Sequence, residues 1–310
     1  MMNKHYLNLK AQAEKLYRHN RQGSYKTKER YSEAFNRFLQ FVAEQYRLEK
    51  LQNISPKHMV RYFAWLKEKG LAASTIKTEA SAVRFWHDKI SNAKYRLPTN
   101  DDLKLQRRKF GDVDRTWSDD EYNRMIADCR NTQREDWEAC VVIARNAGLR
   151  IHEVMRIDTA IARAALKTGS ITIKGKGGKI RAVPINDIVQ TEFEKFLRLT
   201  LAGHKLFVPN GKSTNLVIKE LQHFIEEHRD SVPSPDSDRN RPITFHGLRH
   251  NYAAEQYIRL RKAGDSKYEA EKKVAKLMGH ERSYVTRIYL ASVRKERGSS
   301  ESDTGGDEDV

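Results

Sequence analysis

The chain has 310 residues, a formal net charge of +17 and a pI of about 9.7. This length allows one large domain or two ordinary ones. The basic balance favours a polyanionic partner, either nucleic acid or an anionic membrane surface. No apolar run approaches the roughly 20 residues that a membrane-spanning helix needs. Cys129 and Cys140 are too few for a disulfide framework, so we expect both in the core of a cytoplasmic protein.

The first hundred residues predict a bundle of four or five short helices. Apolar side chains recur every three or four positions along residues 27–46, which is typical of one amphipathic helix. A serine followed by a proline at 55–56 marks the start of another helix, which Gly70 ends. Ser74 can cap a further helix, and residues 7–17 supply the first one.

A connecting stretch, dense in charge, begins at Pro98. It includes a basic run that is either a solvated connector or a segment lying along a nucleic-acid backbone. This run contains Arg107, Arg108 and Lys109. The next domain begins at Ser118, which can form a capping box with Glu121.

The second half combines helices with one predicted β-hairpin. An apolar helix over residues 138–146 ends at Gly148. Residues 170–174 and 180–184 alternate in polarity around a glycine-rich turn, so they predict two strands with a lysine at the tip. Helices return from residue 188, and an acidic tail that we expect to be disordered ends the chain. The later segments are a polar loop at 230–241, helices at 247–263, 267–278 and 283–295, and the tail at 299–310.

Five short motifs in the last 165 residues carry the candidate chemistry. They are Gly148-Leu149-Arg150, Lys176 between glycines, His246-Gly247-Leu248-Arg249-His250, Gly279-His280 and Tyr289. Phosphodiester cleavage needs fixed positive groups around the non-bridging oxygens, an in-line nucleophile and an acid for the leaving oxygen. Guanidinium forks suit phosphate, and no carboxylate cluster of the kind that holds Mg²⁺ is evident. The motifs therefore predict cleavage through a phosphotyrosine, without a metal or other cofactor.

In order and spacing, these motifs resemble those of the tyrosine recombinase, or phage integrase, family. The resemblance is close over the C-terminal domain and looser over the N-terminal one. It implies a mainly α fold with a small β-sheet. A helical, SAM-like core-binding domain at 1–105 and a basic linker at 106–116 would precede a mixed α/β catalytic domain at 117–298.

The resemblance implies that two arginines and two histidines hold the scissile phosphate. Arg150 and Arg249 clamp its oxygens, while His246 and His280 hydrogen-bond it and assist proton transfer. Any one of these residues alone would more often be an ordinary surface or core side chain. Their joint order along the chain favours the functional interpretation.

The nucleophile and the acid each have rivals in the sequence. Tyr289 lies nine residues after the last motif histidine and is the expected nucleophile, with Tyr284 as its rival. Lys176 is the expected acid for the leaving 5′-oxygen, because glycines flank it at the hairpin tip. Lys174 and Lys179 are its rivals, and we expect both to contact the DNA backbone.

Some residues are expected to support the site, and others depart from the family pattern. His250 is predicted to pair with Glu153 as structural support for the phosphate ligands. Ala147 and His152 stand where the family usually has threonine and a small polar residue. The stretch before His280, including 262–273, is longer than usual, and no extra N-terminal arm-binding domain is evident.

The implied function is site-specific recombination that integrates or excises a mobile element. The expected partners are double-stranded DNA carrying specific sites, three further protomers in a homotetramer, and an optional accessory excision factor. We expect a cytoplasmic, nucleoid-associated protein without membrane contact. Two alternatives stay open: a type IB-like topoisomerase, and a DNA-binding regulator that has lost catalysis. The presence of Arg150, Lys176, Arg249 and Tyr289 counts against the regulator.

Overall fold

The structure is a computed structural model that describes residues 3–105, 113–175, 178, 180–229, 242–279, 287–290 and 293. The chain divides into two compact units, Met1–Lys109 and Phe110–Val310. The described residues are mostly helical with one two-stranded sheet, which confirms the predicted fold class. Among the helices of these residues, none is long and apolar enough to cross a membrane.

The first unit is a bundle of short helices, as predicted. Its elements are α1 (Lys4–His19), α2 (Tyr25–Tyr46), a 3₁₀ turn (Leu51–Asn53), α3 (Pro56–Glu68) and α4 (Ala73–His87). The apolar stripe of α2 is buried against α1, α3 and α4, with Phe35, Phe38 and Leu39 fully enclosed. The predicted cap at Ser74 is wrong, because α4 begins at Ala73 and Ala72 is its N-cap.

The core of the first unit extends beyond the predicted start of the connection. Leu97 and Leu103 are buried in this core, and Leu105 packs against it. The connecting stretch therefore does not begin at Pro98, since apolar anchors on both sides of that proline hold the chain to the bundle. The basic run of Arg107, Arg108 and Lys109 lies outside the described residues.

The second unit places one hairpin among helices. Its described elements are α5 (Asp119–Asn131), α6 (Glu135–Ala147), α7 (Ile151–Val154), α8 (Thr159–Thr168), β1 (Ser170–Lys174), β2 (Ile180–Pro184), α9 (Asp187–Leu199), α10 (Thr214–His228), α11 (Phe245–Lys262), α12 (Lys267–Met278) and a 3₁₀ helix (Arg287–Leu290). The two strands pair antiparallel from Ser170 opposite Pro184 to Lys174 opposite Ile180, so the predicted hairpin is confirmed. The capping box of Ser118 and Glu121 is also confirmed.

Helix α6 lies at the centre of this unit and packs against α5, α9 and α11. Cys140 lies on it and Cys129 on α5, and both are buried free thiols, as predicted. The helix ends at Gly148, whose φ of 60° is the left-handed conformation that glycine adopts without strain. A Cβ at Gly148 would clash with the ring of Tyr252 on α11. This close approach sets where the chain turns towards Arg150.

Candidate active site

Arg150 lies in the turn between α6 and α7, where a buried carboxylate fixes it. Its backbone N–H donates to Glu153 Oε2 at 2.8 Å, and its Nη1 donates to Glu153 Oε1 at 2.9 Å. The Arg150 side chain keeps 28% of its surface exposed, whereas that of Glu153 keeps 1%. Glu153 therefore orients a guanidinium group that still reaches the surface of the unit.

The second partner of Glu153 is Arg181 on β2, a residue that no sequence motif indicated. Its Nη1 and Nη2 donate to the two carboxylate oxygens at 2.9 and 2.8 Å. Burial opposes ionisation of Glu153, but the hydrogen bonds from Arg181 and from the Arg150 backbone outweigh it and lower the pKa to about 2. The predicted pairing of Glu153 with His250 is wrong, because the two arginines occupy the carboxylate.

Arg249 is fully buried on α11 and joins two of the predicted motifs. Its Nη1 donates to the carbonyl of Gly148, and its Nη2 donates to the carbonyl of Met278. Its Nε is buried and has no hydrogen-bond partner within the part of the chain that the structure describes. Burial and the nearby Arg150 lower the pKa of the guanidinium to about 10. Arg249 therefore remains a cation at neutral pH and holds the Gly148 turn to the end of α12.

Tyr289 lies beside two histidines of α11. Its hydroxyl is 3.4 Å from His246 Nε2, and its ring lies 4.3 Å from that of His250, centroid to centroid. The Arg249 guanidinium carbon lies 5.7 Å from the centre of the Tyr289 ring. The structure thus brings together four residues from two separate motifs: Tyr289, His246, Arg249 and His250.

Both histidines are neutral at physiological pH. Burial, followed by the charges of Arg249 and Arg150, lowers the pKa of His246 to about 4. Burial, followed by the neighbouring His246, lowers the pKa of His250 to about 2. A neutral His246 can accept a proton at Nε2, the atom that faces the tyrosine hydroxyl, if its Nδ1 carries the hydrogen.

Gly247 lets the start of α11 pack tightly against the segment that enters the second unit. A Cβ at this position would clash with the carbonyl of Arg115 and with the indole of Trp117. The Trp117 indole donates to Thr244 O at 2.8 Å, and its backbone exchanges two hydrogen bonds with the Asn251 side chain. Trp117 therefore buttresses the helix that carries His246. The sequence feature that could have indicated this role is the position of Trp117 directly before the capping box of Ser118.

A cavity of about 400 Å³ lies next to this cluster. Arg150 and His246 line one side of it, and Gln222 and Glu226 of α10 line another. Over the described part of the chain, no three His, Cys, Asp or Glu side chains form a group that could hold a metal ion.

The described part of the chain contains some of the predicted site residues and their neighbours, but not all of them. Lys176, Lys179, His280 and the rival Tyr284 lie outside the described residues. Lys174 is exposed at the end of β1, next to the hairpin turn. Gly279, which precedes His280, ends α12 in the left-handed conformation.

Comparison with known proteins identifies the second unit. The model of the phage integrase family matches residues 115–296, and that of the phage integrase N-terminal SAM-like domain matches residues 14–90.

The chain belongs to the phage integrase family.

The predicted family is confirmed, and with it the enzyme class of the tyrosine recombinases. The chain is 23% identical to tyrosine recombinase XerD of Oceanobacillus iheyensis over 271 residues, which cover 84% of this chain and 85% of that protein. It is 27% identical to XerD of Caulobacter vibrioides over 240 residues, covering 74% of each.

Two solved structures share the fold. The integrase of transposon Tn1549 in complex with transposon right end DNA has a TM-score of 0.59 and 17% identity, covering 94% of this chain and 99% of that one. A lambda integrase dimer bound to a COC′ core site has a TM-score of 0.61 and 16% identity, covering 97% of this chain and 80% of that one.

Proposed function

We propose that this phage integrase cleaves and rejoins DNA strands at specific sites through a 3′-phosphotyrosine. The observation that carries the proposal is the cluster around Tyr289. Its hydroxyl faces Nε2 of a neutral His246, and the buried Arg249 lies beside its ring. Arg150 lines the adjoining cavity with His246. This arrangement combines a nucleophile, a proton acceptor and two permanent cations.

The groups have complementary tasks in the first step. The Tyr289 oxygen attacks the scissile phosphorus, and its proton passes to His246 Nε2. Arg150 and Arg249 stabilise the negative charge that grows on the non-bridging oxygens. The bond to the 5′-oxygen breaks, and that oxygen takes a proton. The products are a tyrosine–3′-phosphate ester and a free 5′-hydroxyl.

Two further roles come from the family resemblance. Lys176 supplies the proton to the leaving 5′-oxygen, and His280 hydrogen-bonds the phosphate. Religation reverses the chemistry with a new 5′-hydroxyl as nucleophile. Because the phosphate ester retains the energy of the broken bond, the reaction needs no ATP and no cofactor.

The organisation of the chain suits an enzyme that grips duplex DNA with both units. We assign residues 1–105 to a helical DNA-binding domain, 106–116 to a basic linker and 117–298 to the catalytic domain. Arg107, Arg108, Lys109, Lys174 and Lys179 would contact the phosphate backbone. The net charge of +17 and the DNA complexes among the fold relatives support this assignment. Four protomers would synapse two sites, with an accessory protein setting the direction.

Covalent trapping tests the proposal. Purified protein is incubated without metal on nicked duplexes taken from the DNA that flanks its own gene, and denaturation-resistant adducts are measured. Wild type and Tyr284→Phe should form an adduct, whereas Tyr289→Phe should form none.

Different outcomes identify different errors in the proposal. An adduct with Tyr289→Phe would mean that another residue is the nucleophile. Tight DNA binding by the wild type without any adduct would favour a DNA-binding regulator. Relaxation of an unrelated supercoiled plasmid would favour a topoisomerase.

A further inference from the structure

The ion pair between Arg181 and Glu153 joins the hairpin to the segment that carries Arg150. Arg181 lies on β2 opposite Ile173, and its guanidinium binds both oxygens of the Glu153 carboxylate. The exposed fractions of the two side chains are 9% and 1%. A paired carboxylate and guanidinium this deeply buried are held in one geometry by both hydrogen bonds.

The same carboxylate also binds Arg150, so three charges share one site. Glu153 Oε1 accepts from Nη1 of both arginines, at 2.9 Å in each case. The negative charge of Glu153 is therefore divided between two cations, and the cluster keeps one net positive charge. The more exposed of the two cations is Arg150, which also lines the cavity.

Removal of Arg181 would change what Arg150 can do. A buried carboxylate must be compensated, and Arg150 would then be its sole arginine partner among the described contacts. The guanidinium of Arg150 would be held more tightly by Glu153, and its attraction for a phosphate would fall. The charge of Arg181 therefore acts at a distance, through Glu153.

Arg181 also contacts the residue that precedes His280. A Cβ on Gly279 would lie 3.0 Å from Arg181 Cδ, so the stem of the arginine packs against the end of α12. Arg181 thus links three segments that carry predicted site residues. It lies on the hairpin of Lys176, it binds Glu153 beside the turn of Arg150, and it packs against Gly279, which precedes His280.

We propose that Arg181 is a positioning residue for DNA cleavage: it neutralises Glu153, so that the positive charge of Arg150 remains available to the scissile phosphate. This inference rests on the proposed function. Unlike Arg249, whose Nη atoms donate to neutral carbonyls, Arg181 has its charge compensated by the Glu153 carboxylate, so it is assigned no contact with the phosphate.

The test compares single-turnover cleavage of a nicked duplex at saturating DNA. Arg181→Gln should slow adduct formation by about 10²-fold, a loss of the size seen when one stabilising donor is removed, while DNA affinity stays unchanged. The double variant Glu153→Gln, Arg181→Gln restores the net charge of the cluster, so it should recover about tenfold of that loss. Arg163→Gln removes an exposed arginine from α8 and should cleave like wild type.

Each remaining outcome overturns the inference. One such outcome is cleavage by Arg181→Gln at the wild-type rate. Another is a double variant that cleaves no faster than the single one, which would mean that Arg181 only holds the hairpin. If Arg181→Gln does not fold, Arg181→Lys replaces it, and a folded lysine variant slowed about 10²-fold contradicts charge compensation. Absence of an adduct with the wild type would instead refute the proposed function and this inference with it.

Discussion

Each unit of the protein buries a glutamate beside an arginine, and the two pairs differ in what lies around them. In the first unit, Glu79 accepts from Arg37 at 2.5 Å and from the hydroxyl of Tyr62 at 3.2 Å. Arg37 keeps 54% of its side-chain surface exposed. In the second unit, Glu153 is enclosed by two arginines, one of them deeply buried. The second arrangement places one cation, Arg150, both at a buried carboxylate and at a cavity.

The difference separates an ion pair that joins helices from one that, in our proposal, prepares a site. Water compensates Arg37 if its partner is lost, so Glu79 mainly ties α2 to α3 and α4. Arg181 has no comparable access to water and depends on Glu153. A buried charge that loses its only carboxylate partner is costly, so the loss of Glu153 should destabilise the protein more than the loss of Glu79.

The largest expected effect on stability comes from removing the carboxylate charge of Glu153, and removal of the Glu79 charge is the comparison. Glu153→Gln should lower the free energy of unfolding by about 3–5 kcal/mol, because it leaves Arg181 buried without a counterion. Glu79→Gln should cost about 1–2 kcal/mol, since Arg37 is solvated. Urea unfolding of the full chain measures both. Equal losses would remove the distinction between the two pairs.

A second test concerns the turn that presents Arg150. Gly148→Ala should destabilise the protein by about 3 kcal/mol, since it adds left-handed strain to a clash with Tyr252. Gly169→Ala is the matched control: its φ is +71°, and no atom would lie within 4 Å of the new Cβ. That control should cost about 1 kcal/mol. Urea unfolding should therefore show a larger loss of stability for Gly148→Ala than for Gly169→Ala. Equal losses would mean that the ring of Tyr252 moves aside.

The pH dependence of stability should reflect the buried histidines. Burial lowers the pKa of His58 and His87 in the first unit and of His246 and His250 in the second. The unfolded chain therefore binds more protons below pH 6.5, and stability present above that pH is lost as the pH falls. Between pH 7.5 and 6, His246 and His250, whose pKa values fall to about 4 and about 2, should each cost about 0.8 kcal/mol.

Urea unfolding at those two pH values provides the measurement. His250→Gln should reduce the loss, whereas His223→Gln, which removes an exposed histidine of α10, should not. Stability that stays flat or rises on acidification would contradict the depressed pKa values.

The smallest expected effect is at a helix cap. Ser118 accepts from the backbone N–H of Glu121 and starts α5, so Ser118→Ala should cost about 1 kcal/mol. Ser74 lies inside α4 and caps nothing, so Ser74→Ala should be nearly neutral. Thermal unfolding of the two variants compares them directly. Similar shifts in Tm would mean that the cap of α5 adds little to stability.

The sequence by itself determined the local elements, because their signals lie within a few residues of one another. The alternation along 170–174 and 180–184 predicted both strands with their bounds. The glycine after the apolar helix of 138–146 predicted where α6 ends. The sequence also predicted the family, because the short motifs keep their order although the overall identity to the relatives is low.

Only the tertiary structure decided which charged groups meet. Arg181 is one polar position in an alternating strand, and nothing near it in the chain indicates a carboxylate 28 residues earlier. His250 was predicted beside Glu153, but the packing of α11 places it against the ring of Tyr289 instead. Partners of this kind depend on how helices and the hairpin pack together, and packing is a property of the whole unit rather than of any local pattern.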